Sequence, residues 1–226
     1  MSYTVQPINI LQGVQKEAWY TAINPNGKVP AIVDHDNSDM AVFESSAILS
    51  YLSRRYDSRF LVSFDAADDD YTNAETWIAW QHGGVGPMQG QANLYARFLP
   101  ESHPFPVQRF VGEAERLYGV LNSRLRDRDF IVGPGRGKFS IADIAVLGWA
   151  NYLPIIPLSL DQFPAARAWL ERCNKRPAVR SGILVPGTPM VGPDTPMSEG
   201  IFDKTTAAGE RIKAAQAKYD YKFKSP

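Results

Sequence analysis

The sequence has almost no cysteine, no net charge and no long apolar run, and each absence removes a class of protein. Cys173 is the single cysteine of the 226-residue chain, so neither an internal disulfide nor a cysteine-based metal cluster can form. The 24 basic side chains balance the 24 acidic ones, which gives no electrostatic basis for binding nucleic acid or a membrane surface. No apolar run approaches the roughly 18 residues of a membrane-spanning helix.

Other patterns exclude further kinds of site. Met1 is followed by a polar, strand-like segment, so we predict no secretory signal and a cytoplasmic protein. His35, His82 and His103 lack the spacing of metal ligands, so we expect no zinc site. The GPGRG sequence at residues 133–137 lacks the pattern of a nucleotide-binding loop and predicts an ordinary loop. A small neutral or anionic ligand remains compatible with the composition.

Cys173 lies in a helix-like pattern at residues 163–173. This position favours a small apolar residue on a helix, with a redox role as the alternative. The thiol is therefore not a leading candidate for chemistry.

Residues 24–34, NPNGKVPAIVD, form the most informative pattern. Pro25 and Gly27 favour a turn, and the apolar residues 31–33 predict a short strand after it. Pro30 cannot donate a hydrogen bond to a sheet, so the pattern predicts that the backbone N–H and C=O of Val29 stay outside the ladder. A cis Val29–Pro30 bond would aim these groups into a cleft, although composition alone does not establish the isomer.

A second short strand is predicted at residues 41–43, and a helix is predicted to begin at Ser45. As the expected N-cap, Ser45 stands where free N–H groups and the helix dipole favour a carboxylate or phosphate. Glu44 beside it can accept hydrogen bonds from an ammonium group. Together they predict a site for the zwitterionic end of a small molecule. The alternative is that Ser45 only caps its helix and that Glu44 is solvated.

The remainder of the pattern is mostly helical. A partly helical run is predicted at residues 71–98, with a kink or opening at the GGVGP sequence of residues 83–87, and a second helix is predicted at residues 106–127. Ser140 and Asp143 predict a capping box at the start of a buried helix.

Four apolar side chains on the first helical run have two interpretations. They line a pocket for an electrophilic substrate, or they pack into the core, as such stripes more commonly do. The sequence does not choose between these. The four residues are Trp80, Met88, Tyr95 and Phe98.

Three motifs resemble one family. Residues 24–34, with FESSAILSYL at residues 43–52, resemble the glutathione-binding half of the thioredoxin-like domain in cytosolic glutathione transferases. WIAWQHGGVGPMQGQ at residues 77–91 is similar to a motif of the nu-class group of fungi and bacteria, which includes relatives of the yeast nitrogen-catabolite regulator that forms prions. SIADIA at residues 140–145 matches a further family motif.

The resemblance implies an α/β thioredoxin-like domain at residues 1–60, packed on an all-α domain at residues 61–195. A tail follows at residues 196–226, in which residues 203–219 predict a weak helix. The residues just before it, 181–195, predict an irregular segment. The expected assembly is a homodimer.

The resemblance also implies that an N-terminal unit is missing. In these relatives a first strand and helix precede the segment that corresponds to residues 3–10 here. The turn between that strand and helix carries the residue that faces the glutathione sulfur. No residue of this sequence occupies that turn, so the catalytic residue stays unassigned. We expect either a shortened chain whose parent carries this unit, or a partner chain that supplies a sheet edge.

Glutathione is the implied co-substrate. By resemblance, the backbone of Val29, held before Pro30, contacts its cysteinyl part. Glu44 and Ser45 contact its γ-glutamyl end.

Three further residues extend the implied site. Gln15 or Lys28 meets the glycyl carboxylate or nearby backbone of glutathione, although Glu17 stands where some relatives have arginine. Arg109 corresponds to an arginine of the helical domain that reaches glutathione disulfide, and a guanidinium binds carboxylates in a bidentate way.

The implied function is conjugation of the glutathione thiolate to an electrophilic small molecule. Two alternatives stay open. One is a disulfide-bond reductase that uses glutathione as its redox couple, and the other is a non-catalytic binder or regulator.

Overall fold

The computed structural model describes residues 2–99, 103–156 and 158–187. In these ranges the chain forms a small α/β unit followed by a larger all-helical unit. The tail predicted at residues 196–226, including its helix, lies outside the described residues. No helix in the described ranges combines the length and the apolar character needed to cross a membrane.

The α/β unit is a two-stranded hairpin flanked by helices. Its elements are the 3₁₀ turns Ile10–Gln12 and Val14–Lys16, helix α1 (Ala18–Ile23), strand β1 (Ala31–Asp34), the 3₁₀ turn His35–Asn37, strand β2 (Met40–Phe43) and helix α2 (Ser45–Tyr56). β1 and β2 pair antiparallel, with Ala31 opposite Phe43, so both predicted strands are confirmed. The strand-like segment predicted after Met1 pairs with neither strand, and in the described residues the sheet has two strands.

A buried carboxylate ties the hairpin to α2. Asp34, at the end of β1, accepts hydrogen bonds from the hydroxyl groups of Tyr51 and Tyr56. Its Oδ1 also accepts from the N–H of Asp36 (3.1 Å), and Arg55 Nε lies 3.4 Å from its Oδ2. The tyrosine hydrogen bonds hold the pKa of Asp34 below its ordinary value. The ionised carboxylate is therefore the form that fits the folded chain.

The helical unit surrounds one apolar core. Its elements are α3 (Asp69–Trp80), α4 (Gly86–Asn93), α5 (Pro104–Leu125), α6 (Ile141–Asn151), α7 (Pro164–Asn174) and α8 (Pro177–Gly182), with a π-helical turn at Leu94–Phe98 and 3₁₀ turns at Leu153–Ile155 and Leu160–Gln162. The helix predicted at residues 106–127 is confirmed as α5, whose apolar face includes the buried Leu117 and Leu121. Trp169 of α7 is fully buried in the same core.

The junction between α3 and α4 covers residues 83–87, where the sequence predicts a kink or opening. The chain stays helical there, because a π-helical turn, Gln81–Val85, joins the two helices. Pro87 lies in the first turn of α4, a position that tolerates a missing N–H. A Cβ on Gly86 would lie 3.0 Å from Trp149 Nε1 of α6. The glycine therefore permits close packing of two helices instead of ending one.

The capping box predicted at the start of α6 is confirmed. Asp143 Oδ2 accepts from the backbone N–H of Ser140 (2.9 Å). Asp143 Oδ1 accepts from the N–H of Ile131 (3.0 Å) and from Trp169 Nε1 (2.8 Å). Burial raises the pKa of Asp143, and these donors oppose that shift. The carboxylate joins three segments of the helical unit and stabilises the fold.

Replacing Asp143 with Asn is expected to lower the free energy of unfolding by about 3 kcal/mol. The reason is that an amide nitrogen, which cannot accept a hydrogen bond, would replace one of the two carboxylate oxygens that accept them. Urea denaturation measures this change. The control is Asp161→Asn, since Asp161 pairs with Arg167 on the surface and should contribute much less. Equal losses in the two variants would contradict the role of Asp143.

Asp34→Asn is expected to make stability less sensitive to acid. The folded-state pKa of Asp34 is lowered, so its stabilising contribution is present above the unfolded pKa of about 3.9 and is lost as pH falls through the folded value. Urea midpoints at pH 6 and pH 3 should differ more in the wild-type chain than in this variant. The exposed Asp36→Asn serves as the control and should keep the wild-type difference. An equal acid-induced loss in Asp34→Asn would contradict the prediction.

Candidate functional site

A clamped turn leads into β1. The carbonyl of Lys28 accepts two hydrogen bonds, from the Tyr20 hydroxyl (2.8 Å) and from Asn24 Nδ2 (2.6 Å). Both donors belong to buried residues. Gly27 has a φ of 59°, a conformation that glycine adopts without strain. These features fix the chain immediately before Val29.

Val29 keeps its main-chain groups outside the sheet, as the sequence predicts. The ladder starts at Ala31, and no hydrogen bond within the described residues uses the N–H or the C=O of Val29. The Val29–Pro30 bond is cis, and Val29 is 46% exposed. A donor and an acceptor of the main chain are thus accessible to a ligand.

The helix predicted to begin at Ser45 is confirmed as α2, but its N-cap lies one residue before the predicted one. Glu44, with φ 69° and ψ 123°, is the N-cap, and its carbonyl accepts the first helical hydrogen bond from the N–H of Ile48 (2.9 Å). The prediction that Ser45 is the N-cap is wrong, because Ser45 is already the first helical residue. The Glu44 side chain makes no capping hydrogen bond. The first N–H groups of α2 therefore do not donate to its carboxylate.

The register of the hairpin brings the two halves of the site together. Because Ala31 stands opposite Phe43, Val29 and Glu44 leave the same end of the two strands. Main-chain groups before one strand therefore lie next to a carboxylate and a helix start after the other.

The Glu44 carboxylate has a neighbour on each oxygen. Asn26 Nδ2 donates to Oε1 at 3.1 Å, and His82 Nε2 lies 3.6 Å from Oε2. The Glu44 side chain is 42% exposed, so the carboxylate remains open to a ligand on its solvent side. Asn26 comes from the turn of the α/β unit, whereas His82 comes from the helical unit.

Gln15 lies beside the same turn. Its carbonyl is 3.1 Å from the position that a Cβ on Gly27 would take. Its Nε2 donates to a backbone carbonyl at 3.3 Å, and its Oε1 is buried without a partner among the residues described. Glu17 accepts a hydrogen bond from Trp19 Nε1 (2.7 Å). Lys28 is exposed and is held through its carbonyl.

Arg109 lies on α5, in the helical unit. Its Nη1 is 3.6 Å from Glu113 Oε2, and Arg116 Nη2 is 2.7 Å from the other oxygen of Glu113. The hydrogen bond from Arg116 holds the pKa of Glu113 below its ordinary value. The structure therefore places Arg109 in an ionic cluster of the helical unit, and its ion pair with Glu113 lies within α5.

The predicted apolar stripe packs against the core. Trp80, Met88 and Tyr95 are partly buried there, and the Tyr95 ring stacks on Phe110 with centroids 5.6 Å apart. The side chain of Phe98 lies outside the described part of the chain. Partial burial gives each of the three described residues a packed side and an accessible side.

Metal and thiol chemistry find no support in the described residues. No group of three or more histidine, cysteine, aspartate or glutamate side chains is placed there to hold a metal ion. Cys173 is buried in α7, and burial raises the pKa of its thiol well above the ordinary value. The thiol is therefore protonated and inaccessible, in agreement with a structural role.

Sequence patterns miss the two residues that contact Glu44. They identify Asn26 only as part of a turn and His82 only as a histidine that lacks the spacing of a metal ligand. Both contacts join residues far apart in the chain, so no local pattern contains them. Sequence patterns also miss the hydrogen bonds from Tyr20 and Asn24 to the Lys28 carbonyl. The reason is related, because the folded turn determines which carbonyl each donor meets.

Two family models match the chain. The model "Glutathione S-transferase, N-terminal domain" matches residues 1–55, and "Glutathione S-transferase, C-terminal domain" matches residues 107–177. The first match contains the α/β unit with Val29 and Glu44, and the second contains most of α5 and all of α6 and α7.

Known proteins show the same relationship. The disulfide-bond oxidoreductase YfcG from Escherichia coli (strain K12) is 35% identical over 188 residues, which are 81% of this chain and 84% of that protein. A glutathione transferase homolog from Lodderomyces elongisporus, solved with two GSH per subunit, has a TM-score of 0.78 and 30% identity, covering 82% of this chain and 88% of that one. The glutathione transferase URE2P8 from Phanerochaete chrysosporium, solved with oxidized glutathione, has a TM-score of 0.75 and 32% identity, covering 80% of this chain and 82% of that one. With a thioredoxin-like N-terminal domain and a helical C-terminal domain, the chain belongs to the glutathione S-transferase family.

Proposed function

We propose that the protein binds glutathione between Val29 and the start of α2, and conjugates its thiolate to an electrophilic small molecule. The observation that carries this proposal is a set of recognition groups that lie at one end of the hairpin and remain open to a ligand. They are the main chain of Val29, the open carboxylate of Glu44 and the first N–H groups of α2. The related structures solved with glutathione support the same ligand.

The γ-glutamyl end of glutathione fits the charges at α2. Its ammonium group pairs with the Glu44 carboxylate, which is open on its solvent side. Its α-carboxylate pairs with the first N–H groups of α2 and with the Ser45 hydroxyl, where the helix dipole favours a negative charge. A carboxylate next to a helix N-terminus thus complements the ammonium and carboxylate groups of an amino acid.

The rest of the tripeptide fits the main chain and the turn. The N–H and C=O of Val29, before Pro30, pair with the cysteinyl backbone, as an exposed strand end pairs with an extended peptide. The exposed Lys28, or Gln15 beside the turn, meets the glycyl carboxylate. Arg109 is proposed to bind a carboxylate of glutathione disulfide from the helical side.

The chain contributes binding and orientation to the reaction. Bound glutathione supplies the thiol that becomes the nucleophile. Anchoring the tripeptide at both ends restricts the position of its sulfur, which lowers the entropic part of the barrier. The accessible sides of Trp80, Met88 and Tyr95, together with Phe98, are proposed to receive the electrophile. The residue that activates the sulfur stays unassigned.

A second candidate function is reduction of disulfides with glutathione as the redox couple. The relationship to the disulfide-bond oxidoreductase from E. coli favours it. The same residues would hold glutathione, and the reacting disulfide would replace the electrophile. A third candidate is a non-catalytic glutathione binder, which would hold the tripeptide with the same residues and catalyse neither reaction.

We further propose that the protein belongs to the nu-class subgroup and acts as a cytoplasmic homodimer. The similarity to URE2P8 supports the subgroup. The proposed domain limits are residues 1–60 and 61–195. Asp57, near that limit, accepts hydrogen bonds from the N–H groups of Leu61 and Val62 (both 2.8 Å), so the connection between the domains is tightly held.

Glu44→Gln is expected to weaken glutathione binding about 10- to 100-fold, because the variant loses a charged hydrogen-bond acceptor for the ammonium group. Isothermal titration calorimetry measures the change. The control is Glu171→Gln, which removes an exposed glutamate of α7 that lies 4.0 Å from Arg167. The site assignment is wrong if the two variants bind glutathione with the same affinity.

Two assays distinguish the candidate functions. The wild-type chain is expected to conjugate glutathione to 1-chloro-2,4-dinitrobenzene, and Glu44→Gln to lose most of this activity at subsaturating glutathione, since weaker binding lowers kcat/KM. Reduction of a model disulfide without conjugation would instead select the reductase. Glutathione binding without either turnover would select the non-catalytic binder.

A further inference from the structure

The helical unit reaches the Glu44 carboxylate through one imidazole. His82 lies in the π-helical turn Gln81–Val85, and its Nε2 is 3.6 Å from Glu44 Oε2. The other oxygen, Oε1, accepts from Asn26 Nδ2 at 3.1 Å. Each carboxylate oxygen therefore has its own neighbour, and of these two neighbours the imidazole is the one that can carry a positive charge.

Other charged groups surround this pair. Lys16 Nζ lies 3.0 Å from the position that a Cβ on Gly27 would take, next to Asn26. Among the residues that the structure describes, the acidic side chain that lies within 4.0 Å of a ring nitrogen of His82 is Glu44. Lys28 stands two residues after Asn26 on the turn of the α/β unit. The elements packed against the π-helical turn carry Glu75 of α3, which accepts from Ser50, Glu113 of α5, which pairs with Arg109 and Arg116, and Asp143 of α6, which accepts from Trp169.

We propose that His82 makes the affinity for the amino terminus of the ligand depend on protons. The inference rests on the proposed function, in which an ammonium group binds the Glu44 carboxylate. A protonated His82 is a second cation at that carboxylate, so it competes with the ammonium group and repels it. A neutral His82 does neither. Binding of the ligand therefore favours loss of a proton from His82, and the affinity falls in acid.

The size of the effect follows from exposure. The side chains of His82 and Glu44 are 45% and 42% exposed, so water and salt screen their charges. Like charges a few Å apart in such a setting change affinity about fivefold. Protonation of His82 and binding of the ammonium group therefore weaken each other, but neither prevents the other.

Titration with S-methylglutathione at pH 8.0 and pH 5.5 tests this coupling. The methylated sulfur cannot ionise, so the ligand keeps nearly the same charge at both pH values. The wild-type chain is expected to bind about fivefold more weakly at pH 5.5, whereas His82→Gln binds equally at the two pH values. A melting temperature matching the wild type shows that the variant is folded, as expected for a half-exposed position.

His35→Gln is the matched control. His35 lies 2.5 Å from Asp39 at the opposite end of the hairpin from Glu44, since Asp34 and Met40 form the pair at that end. This variant is expected to keep the wild-type pH dependence. Loss of the dependence in both histidine variants would overturn the assignment to His82.

A deaminated analogue of S-methylglutathione isolates the ammonium group. It is expected to show no loss of affinity at pH 5.5, because no second cation then competes for Glu44. A fivefold loss that persists in His82→Gln, or with this analogue, would overturn the proposal. Equal wild-type affinities for S-methylglutathione at the two pH values would overturn it while leaving glutathione binding intact. Absence of binding at both pH values would remove the proposed function, and this inference with it.

Discussion

The candidate site depends on two hydrogen bonds to one carbonyl. Tyr20 and Asn24, both buried, donate to the carbonyl of Lys28. Hydrogen bonds shielded from water are strong, and they hold the turn in one conformation. The next residue, Val29, can then present its own N–H and C=O without taking part in the sheet. Recognition by main-chain groups requires such a fixed backbone, because a mobile peptide would lose entropy on binding.

The two units of the chain have different roles around this site. The α/β unit carries most of the groups proposed to bind glutathione. The helical unit is held by its apolar core and by the buried carboxylate of Asp143, which joins α6, α7 and the loop at Ile131. The contact between His82 and Glu44 joins the helical unit directly to the site. Through this contact a rigid helical scaffold influences a carboxylate that belongs to the other unit.

Local sequence patterns predict the elements well and the contacts poorly. Both strands, α5 and the capping box of Asp143 follow from apolar spacing and from one side-chain hydrogen bond within a helical turn. The N-cap of α2 is misassigned by one residue, because the positive φ of Glu44 is a property of the folded backbone. The packing of Gly86 against Trp149 is also missed, because Trp149 lies far along the chain. The family is recognisable from motifs, whereas the roles of Val29, Glu44 and Arg109 remain predictions.

The burial of Cys173 has a consequence for a protein proposed to handle glutathione. Glutathione disulfide exchanges readily with thiolates that it can reach, and the product is a mixed disulfide on the protein. The sole thiol of this chain is buried in α7 and held in its protonated form. Oxidised glutathione therefore finds no sulfur on the folded chain to modify, and the protein can meet both redox forms of the tripeptide without becoming S-glutathionylated.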